Sequence, residues 1–330
     1  MKNELPYLVE WIEFHKVVGF SHLVIYDDGS QDNAALIERL YKQHGRDYVS
    51  YEANVWHDDA RLRRINAGGE CLKKYKHLAD WIIHLDIDEF TWSPKYSNLR
   101  DYFQTEVPSH THILYVGATR FGWEHMRHRH TYSLQEVKDS GGNVSVKLTN
   151  PHGVQLVTQT HFHRAPDKRF TEPEELLKES NEKCARWKKQ VGRLSPCMND
   201  ADEIYGKTFI RAAYAEGLWT HGGSVKLEDF SWHQIGDGRH IGDEPGSCAP
   251  PICDRSDPAT LHIYHFRSPS LDDDIKKNQD WHWNANPEED FAMDGEVYDK
   301  ATWFFNIIWD ASLLRFGDAL RERVALLLSP

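Results

Sequence analysis

A short buried strand that ends in acidic residues is the first feature of this sequence with the residue types for chemistry. It runs from Asp80 to Phe90, and its apolar part, residues 81–85, is rich in Trp, Ile and Leu. Asp86 and Asp88 are two positions apart, so an extended backbone would direct both carboxylates to the same side. Adjacent carboxylates repel each other unless a cation lies between them. We therefore predict a site for Mg²⁺ or Mn²⁺ that leaves coordination positions open for phosphate oxygens.

An ordinary strand end with two hydrated acids is the other interpretation of this pair, because Asp-X-Asp is a common tripeptide. The position of the pair favours the metal site, since open α/β sheets bind their ligands at the carboxyl ends of strands.

The composition is that of a globular protein, and it argues against one class of partner. The chain has 330 residues, of which 40% are hydrophobic and 27% are charged, enough for one large domain or two smaller ones. Its formal net charge of −12 argues against non-specific binding to nucleic acid. The five cysteines lack the spacing of zinc ligands. The sequence has neither a signal peptide nor a membrane-spanning apolar run, and it leaves the localisation open.

Hydrophobic periodicity and turn residues predict helices and strands over the first half of the chain. The predicted helices are residues 4–18, closed by Gly19, then a helix that ends near Gly45, and residues 59–78, where Gly68 and Gly69 argue against one unbroken helix. The predicted strands are 22–26, 48–52, 81–85 and 111–117, followed by a hairpin over 132–148 and a strand over 153–164. This order predicts an α/β fold with a parallel sheet and right-handed crossovers, in which 22–26, 81–85 and 111–117 share one sheet.

An ordered series of motifs resembles the glycosyltransferases of the family 2 and family 92 type. The segments are Lys2-Asn3-Glu4, Glu10 to His15, Gly19-Phe20, Ile25 to Asp32, Leu85 to Phe90, Arg120-Phe121-Gly122, Lys207 to Arg211 with His221, and His265 to Ser268. Leu85 to Phe90 is similar to the metal-binding Asp-X-Asp motif of that group. The resemblance implies a GT-A-like α/β fold over residues 1–285, with a mixed, mostly parallel sheet flanked by helices. We expect residues 286–330 to form an amphipathic helical segment that packs on the protein or on a membrane surface.

The resemblance also implies roles for particular residues in the transfer of a sugar from a nucleotide-diphosphate sugar. Asp86 and Asp88 would hold Mn²⁺ or Mg²⁺, with His265 or His221 as a third ligand. The residues expected to bind the nucleotide sugar are Lys2, Glu4, Asp27, Asp28, Lys207, Arg211 and Arg267. An inverting enzyme needs a carboxylate base near the acceptor hydroxyl, for which Glu124 is the candidate and Glu89 the rival.

We expect His265 to be the third metal ligand, because residues 261–266 form a strand-like run. Alternation with a period of two directs Leu261, Ile263 and His265 to one face, where an imidazole needs a polar partner. A metal ion is one such partner and a backbone carbonyl is the other.

Two departures from the family pattern affect these expectations. Such enzymes open with a strand before the Lys-Asn-Glu segment, so we expect the first strand to be missing or truncated here. Pro269 stands where a basic residue is expected, which leaves a phosphate contact to Arg267 or a later lysine.

The expected partners are a UDP-sugar as donor and a glycan as acceptor. Two other classes remain open at this point. A catalytically inactive sugar-binding or scaffold protein would retain the fold without turnover. A metal-dependent phosphoesterase would also use paired acids and histidines, although the sequence offers no spacing for a nucleophile or a second metal cage.

Overall fold

A computed structural model describes residues 1–53, 60–121, 132–151, 153–164, 206–227, 230–234, 252–266 and 308–328, with the single residues 174, 175, 178 and 182. The helices bounded within these ranges are α1 (Leu5–Val17), α2 (Ile37–Gln43), α3 (Ala60–Tyr75), α4 (Leu99–Thr105) and α5 (Gly317–Leu328). The strands are β1 (Leu23–Asp27), β2 (Val49–Ala53), β3 (Trp81–Ile83), β4 (Glu89–Trp92), β5 (Ile113–Arg120), β6 (Ser133–Lys138), β7 (Val144–Thr149), β8 (His163–Arg164), β9 (Gly206–Arg211), β10 (Ala215–Trp219), β11 (Gly222–Leu227), β12 (Phe230–Gln234), β13 (Cys253–Arg255), β14 (His262–His265) and β15 (Ile308–Trp309).

The central sheet has six strands and is mixed, so the prediction of a mostly parallel sheet is wrong. Five of its strands follow the order β3-β9-β5-β14-β4, and β13 pairs with β5 at one end. Only the pairs β5–β14 and β5–β13 are parallel, whereas β3–β9, β9–β5 and β14–β4 are antiparallel. Two of the antiparallel pairs arise from β9, which returns from much later in the chain and enters between β3 and β5. The third arises from β4, which runs antiparallel to β14.

Strands β1 and β2 form a separate parallel pair within the described residues. The prediction that residues 22–26 share a sheet with 81–85 and 111–117 is therefore wrong for the first segment. The predicted hairpin is confirmed by the antiparallel pair β6–β7. Gly68 and Gly69 do not interrupt the predicted helix, because α3 runs through both of them.

Helix α1 forms where leucine and isoleucine recur at helical spacing, and it ends before Gly19, whose φ of +107° suits glycine. Leu8, Ile12 and Phe14 have no exposed surface and belong to the main hydrophobic core. Three ionisable side chains of the helix, Glu10, Glu13 and His15, are buried as well. Buried groups of this kind need hydrogen-bond partners, and each one binds a different part of the fold.

Glu10 binds a segment that we predicted to be a strand. The prediction for residues 153–164 is wrong, because the segment contains a 3₁₀ helix at Val157–Gln159 and only a two-residue strand, β8. The Glu10 carboxylate accepts hydrogen bonds from the backbone N–H groups of Val157, at 2.6 Å, and Thr158, at 2.9 Å. In a sheet these backbone N–H groups would donate to a neighbouring strand, whereas here they donate to a side chain of α1.

Glu13 connects α1 with the end of the described chain. Its carboxylate accepts from Arg46 at 2.6 Å and from the Tyr48 hydroxyl at 2.8 Å, and it also binds Arg323 of α5. The apolar side chains of α5, including Leu320 and Val324, join the same core as α1. The predicted domain boundary between residues 285 and 286 lies outside the described residues. The helices that the structure describes include none long and apolar enough to cross a membrane.

The two adjacent glycines of α3 provide a matched pair of substitutions. A Cβ added at Gly68 would lie 1.9 Å from the backbone oxygen of Leu218 in β10, whereas one at Gly69 would meet nothing within 4 Å. We expect Gly68→Ala to lower the free energy of unfolding by roughly 1–3 kcal/mol, because backbone atoms must move apart. Gly69→Ala should raise the free energy of unfolding by up to about 1 kcal/mol through helix propensity. Urea denaturation of both variants checks this, and equal effects would contradict the close approach of α3 and β10.

Glu10 should make stability depend on pH. Burial raises the pKa of Glu10 to about 7, with the hydrogen bonds from Thr158 and Val157 acting in the opposite direction. The carboxyl group binds its proton more tightly in the folded state than in the unfolded chain. Its contribution to the free energy of unfolding is therefore complete below pH ~4.5 and is lost as the pH rises through 7. We expect the parent protein to lose roughly 1–3 kcal/mol relative to Glu10→Gln over this range. Urea denaturation of both proteins from pH 4.5 to 8 measures the difference, and a gain by the parent would mean that the hydrogen bonds outweigh burial.

Candidate functional site

The acidic residues lie in a tight turn between β3 and β4 and not on an extended strand. Strand β3 ends at Ile83, and the backbone N–H of Glu89 donates to the carbonyl of Asp86 at 3.1 Å. The Glu89 carboxylate in return accepts from the backbone N–H of Asp86 at 2.9 Å. The expectation that Asp86 and Asp88 share one side of an extended backbone is therefore wrong. The turn still follows the carboxyl end of β3, as the sequence predicted.

Lys207 of β9 lies beneath this turn. Its ammonium group is 2.7 Å from Asp86 Oδ2 and 3.0 Å from Glu89 Oε2, and its side chain has 0% exposure. Burial lowers the pKa of Lys207, but the neighbouring Asp86 and Glu89 outweigh burial and the pKa is raised above its usual value. Burial raises the pKa of Glu89, while Lys207 acts to lower it. The result is a buried ion pair with a second carboxylate, that of Asp86, at its more exposed side.

His265 lies beside the second aspartate of the turn. It is the last residue of β14, opposite Glu89 in the antiparallel register with β4, and its Nε2 atom is 3.5 Å from Asp88 Oδ2. The backbone holds the two elements together, because the N–H of Phe266 donates to the carbonyl of Asp88 at 2.8 Å. The β14 strand thus fixes the position of His265 relative to Asp88.

His221 approaches the same group from the turn between β10 and β11. Burial lowers its pKa, and so does the nearby charge of Lys207, while Asp86 and His265 have smaller effects. Its Nδ1 atom is 3.1 Å from the carbonyl oxygen of Gly206, which can only accept a hydrogen bond. The proton of the neutral ring is therefore on Nδ1, and Nε2 is the ring nitrogen that carries the lone pair.

The donor atoms at this site suit a divalent cation only in part. Carboxylate oxygen and imidazole nitrogen are ligands for Mn²⁺, and adjacent ligands in an octahedral shell are ~3 Å apart. Asp88 and His265, at 3.5 Å, are close to that separation. Across the described ranges of the chain, however, no group of three or more His, Cys, Asp or Glu side chains is arranged to hold a metal ion. Asp86 is directed to Lys207 instead.

A second group of predicted residues surrounds the loop after β1. The backbone N–H of Asn3 donates to Ser30 Oγ at 2.7 Å, and that of Leu5 donates to Asp32 at 2.9 Å. Lys2 and Glu4 flank Asn3 and therefore lie next to this loop. Met1 runs along the end of β1, where its ammonium group donates to the carbonyl of Tyr26 at 2.8 Å.

The two aspartates of this loop differ in their environment. Asp27 is buried and accepts from the N–H of Ser30 at 2.9 Å, which is the geometry of a structural turn. Asp28 forms an ion pair with Arg63 of α3, with Nε 2.6 Å from Oδ1. Of the two, Asp28 is the more exposed and is the better placed to meet a ligand.

Arg211 lies away from the acidic turn. It is at the opposite end of β9 from Lys207 and pairs with Trp81, the first residue of β3, whereas the turn follows the last residue of that strand. Its guanidinium group stacks on the Trp81 ring at 4.5 Å, and its Nε donates to the carbonyl of Thr111 at 3.2 Å. The two remaining predicted residues, Glu124 and Arg267, lie outside the described residues.

The sequence interpretation missed two residues of α1 that position the turn. Trp11 Nε1 donates to the carbonyl of Glu89 at 2.9 Å, and His15 Nε2 accepts from the N–H of Thr91 at 3.3 Å. Both side chains thus bind β4, the strand that begins with Glu89, the last residue of the turn. The available signal was the presence of a histidine on the apolar face of a helix, where it needs a buried partner.

Comparison with known proteins identifies relatives of one kind. A family model described as glycosyltransferase family 92 matches residues 2–229. A glycosyltransferase family 92 protein of Ricinus communis is 26% identical over 132 residues, which cover 39% of this chain and 23% of that protein. A glycosyltransferase family 92 protein of Arabidopsis thaliana is 28% identical over 93 residues, which cover 28% of this chain and 15% of that protein. The aligned part of this chain thus spans less than a quarter of either relative.

Proposed function

Because the chain belongs to glycosyltransferase family 92, we propose that it transfers a sugar from a nucleotide-diphosphate sugar to a hydroxyl group of a glycan. The observation that carries this proposal is the acidic turn, where Asp86, Asp88 and Glu89 meet Lys207 and His265. An acidic site can bind a diphosphate only when cations separate the two sets of negative charge. Lys207 is one cation at this site, and the expected metal ion would be the other.

Asp88 and His265 are the residues that we propose to hold Mn²⁺ or Mg²⁺, with Asp86 beside them and His221 as the further nitrogen donor. Two protein ligands are sufficient where the diphosphate and water complete the shell, as is common for Mg²⁺. When bound, the ion would supply positive charge against the leaving diphosphate. The protein fixes the two ligands, because β14 and the turn are joined by the hydrogen bond from Phe266 to Asp88.

The loop after β1 is the proposed site for the nucleoside, which would be uridine in a UDP-sugar. Asp28 is partly exposed and can accept hydrogen bonds, while Arg63 holds its carboxylate in place. Lys2 and Glu4 lie beside the same loop and provide further polar contacts. Helix α1 links the two halves of the site, because its first residue binds Asp32 and its Trp11 binds Glu89. This arrangement supports a GT-A-like donor site.

In the proposed inverting reaction, the acceptor oxygen forms a bond to the anomeric carbon as the bond from that carbon to the diphosphate breaks. The acceptor proton passes to a carboxylate base. The Glu89 side chain is only 3% exposed and is engaged by Lys207, which disfavours it as this base. We therefore propose Glu124 for the role.

A catalytically inactive sugar-binding protein is the second candidate function. The observation that favours it is the contact between Asp86 and Lys207, at 2.7 Å, which gives one of the two predicted metal-binding carboxylates a cation from the protein itself. Hydrolysis or transfer of a sugar nucleotide distinguishes the two candidates, because an inactive protein would bind the donor without turnover.

The proposed donor class predicts a specific stabilisation. A ligand that binds only the folded state stabilises it by RT ln(1 + [L]/Kd), so the melting temperature rises with the ratio of ligand concentration to dissociation constant. We expect a UDP-sugar to raise the melting temperature in the presence of Mn²⁺, and to do so less or not at all in the presence of a chelator. A thermal-shift series of nucleotide diphosphates and sugar nucleotides, followed by release of UDP with a glycan acceptor, is the measurement. Stabilisation by no sugar nucleotide, with or without Mn²⁺, would reject the proposal.

The proposed metal ligands predict the effect of an isosteric substitution. Asp88→Asn removes a charge and keeps the shape, so we expect Mn²⁺ binding to weaken at least tenfold while the fold is retained. Asp254→Asn, at an exposed position of β13, is the control that should leave Mn²⁺ binding unchanged. Isothermal titration with Mn²⁺ measures both. Equal Mn²⁺ affinity in parent and Asp88→Asn would mean that the acidic turn is only a strand connection.

A further inference from the structure

A row of three side chains crosses β3, β9 and the start of β5, at the end of the central sheet that is remote from the acidic turn. Trp81 pairs with Arg211 in the register of β3 and β9. On the other side of β9, the backbone N–H of Arg211 donates to the carbonyl of His112 at 2.8 Å, which extends the β9–β5 register by one pair. Residues directly opposite each other on neighbouring strands have their side chains on the same face of the sheet. Trp81, Arg211 and His112 therefore lie side by side.

Aromatic contacts fix the positions of Arg211 and His112. The guanidinium carbon of Arg211 lies 4.5 Å from the centroid of the Trp81 ring, and its Nε donates to the carbonyl of Thr111 at 3.2 Å. The centroid of the His112 ring lies 4.3 Å from that of Tyr214, a side chain that is 40% exposed. The row is thus assembled before any ligand binds, which lowers the entropic cost of binding.

Arg211 retains most of its capacity for hydrogen bonds. A guanidinium group has five N–H donors, and in the described part of the chain only the Nε–H of Arg211 has a partner. No carboxylate of the described residues lies at ion-pair distance from it. A half-buried arginine without a carboxylate, in a chain whose formal net charge is −12, indicates a place for an external anion.

The electrostatic surroundings of His112 also favour an anion. Burial lowers the pKa of His112, and the charges of Arg211 and His110 lower it further. Positive charge thus dominates the field at the imidazole ring. The Nδ1 atom of His112 is buried and has no hydrogen-bond partner among the described residues, so the row contains an orphaned polar atom as well as the donors of Arg211.

The row is separate from the proposed donor site. Lys207, beneath the acidic turn, and Arg211 are on the same face of β9, about 13 Å apart. Phe209 lies between them on that face and is 3% exposed, and its ring centroid is 4.9 Å from that of Phe103 in α4. A buried aromatic layer therefore separates Arg211 from the acidic turn, and a ligand at the row is not a diphosphate held at the turn.

We propose that this row is a second binding site, which takes the carboxylate of an acidic saccharide on Arg211 and the sugar ring on Tyr214. A planar carboxylate matches two parallel N–H donors of a guanidinium group. The exposed ring of Tyr214 offers an apolar surface to the C–H face of a pyranose. A simple inorganic anion would use Arg211 but not Tyr214, so the two side chains together favour a sugar acid. The site goes beyond the proposed transfer, because it needs neither a metal ion nor a nucleotide.

A tetrasaccharide of glucuronic acid, and the same tetrasaccharide with its carboxyl groups reduced to alcohols, test recognition of the carboxylate. We expect the reduced form to bind the parent protein at least about tenfold more weakly, because charge-assisted hydrogen bonds are lost. Arg211→Met keeps an apolar side chain on Trp81 and should weaken binding of the acidic form to the level of the reduced form. Isothermal titration without metal or nucleotide measures each dissociation constant.

Arg255→Met is the matched control for charge. The Arg255 guanidinium also lies over an aromatic ring of the same sheet, 5.7 Å from the centroid of Tyr115, so this variant should leave the affinity unchanged. Tyr214→Ala should raise the dissociation constant of the acidic form roughly three- to tenfold, whereas Tyr214→Phe should not change it. Because Tyr214 is exposed, these two variants keep the test decisive if Arg211→Met does not fold.

Four results would overturn the proposal. If the acidic form binds the parent no more tightly than the reduced form, the carboxylate is not recognised. An equal loss of affinity in Arg255→Met would mean a general attraction between charges. Displacement of the tetrasaccharide by sodium sulfate at equal charge, with no effect of Tyr214→Ala, would mean a site for simple anions. Displacement by UDP, abolished in Arg211→Met, would assign Arg211 to the nucleotide.

Discussion

Two side chains of α1 hold the strand on which the candidate site depends. β4 is the last strand in the order of the described central sheet, and its far side meets α1 instead of another strand. Trp11 donates to the carbonyl of Glu89, and His15 accepts from the N–H of Thr91. These are the groups that a neighbouring strand would have bound, since residues two apart face the same side. The Trp11 indole and the His15 imidazole therefore cover the outer edge of β4. They also fix the start of this strand, where the acidic turn ends.

The arrangement works because His15 stays neutral. Its Nδ1–H donates to the carbonyl of Trp11 at 2.8 Å, which leaves Nε2 to accept from Thr91. Burial lowers the pKa of His15 to about 3, so the ring keeps this acceptor over the physiological range of pH. The helix thus combines an apolar surface, which supplies the free energy of packing, with a few buried polar atoms that specify which strand it meets.

Local pattern was sufficient to predict most of the elements but not their neighbours in the sheet. The helix before Gly19, the strand at residues 23–27 and the 133–149 hairpin follow from periodicity and turn residues. Strand order failed because β9 and β14 come from distant parts of the chain, and periodicity contains no information on which strands pair. The motif from Lys207 to Arg211 illustrates the same limit. Its two basic residues are four apart on a strand, about 13 Å, so the strand separates residues that the sequence groups together.

The partnership between Glu13 and Arg323 has a consequence for synthesis of the chain. The two residues are 310 positions apart, yet the carboxylate is completely buried and the arginine is one of its cations. At typical elongation rates the ribosome needs about 15–60 s to add that many residues. During this time α1 has its apolar surface and its acid but not the helix that covers them. The nascent protein therefore completes this part of its core only after Arg323 has been added, and until then it exposes apolar surface of the kind that makes folding intermediates prone to aggregation.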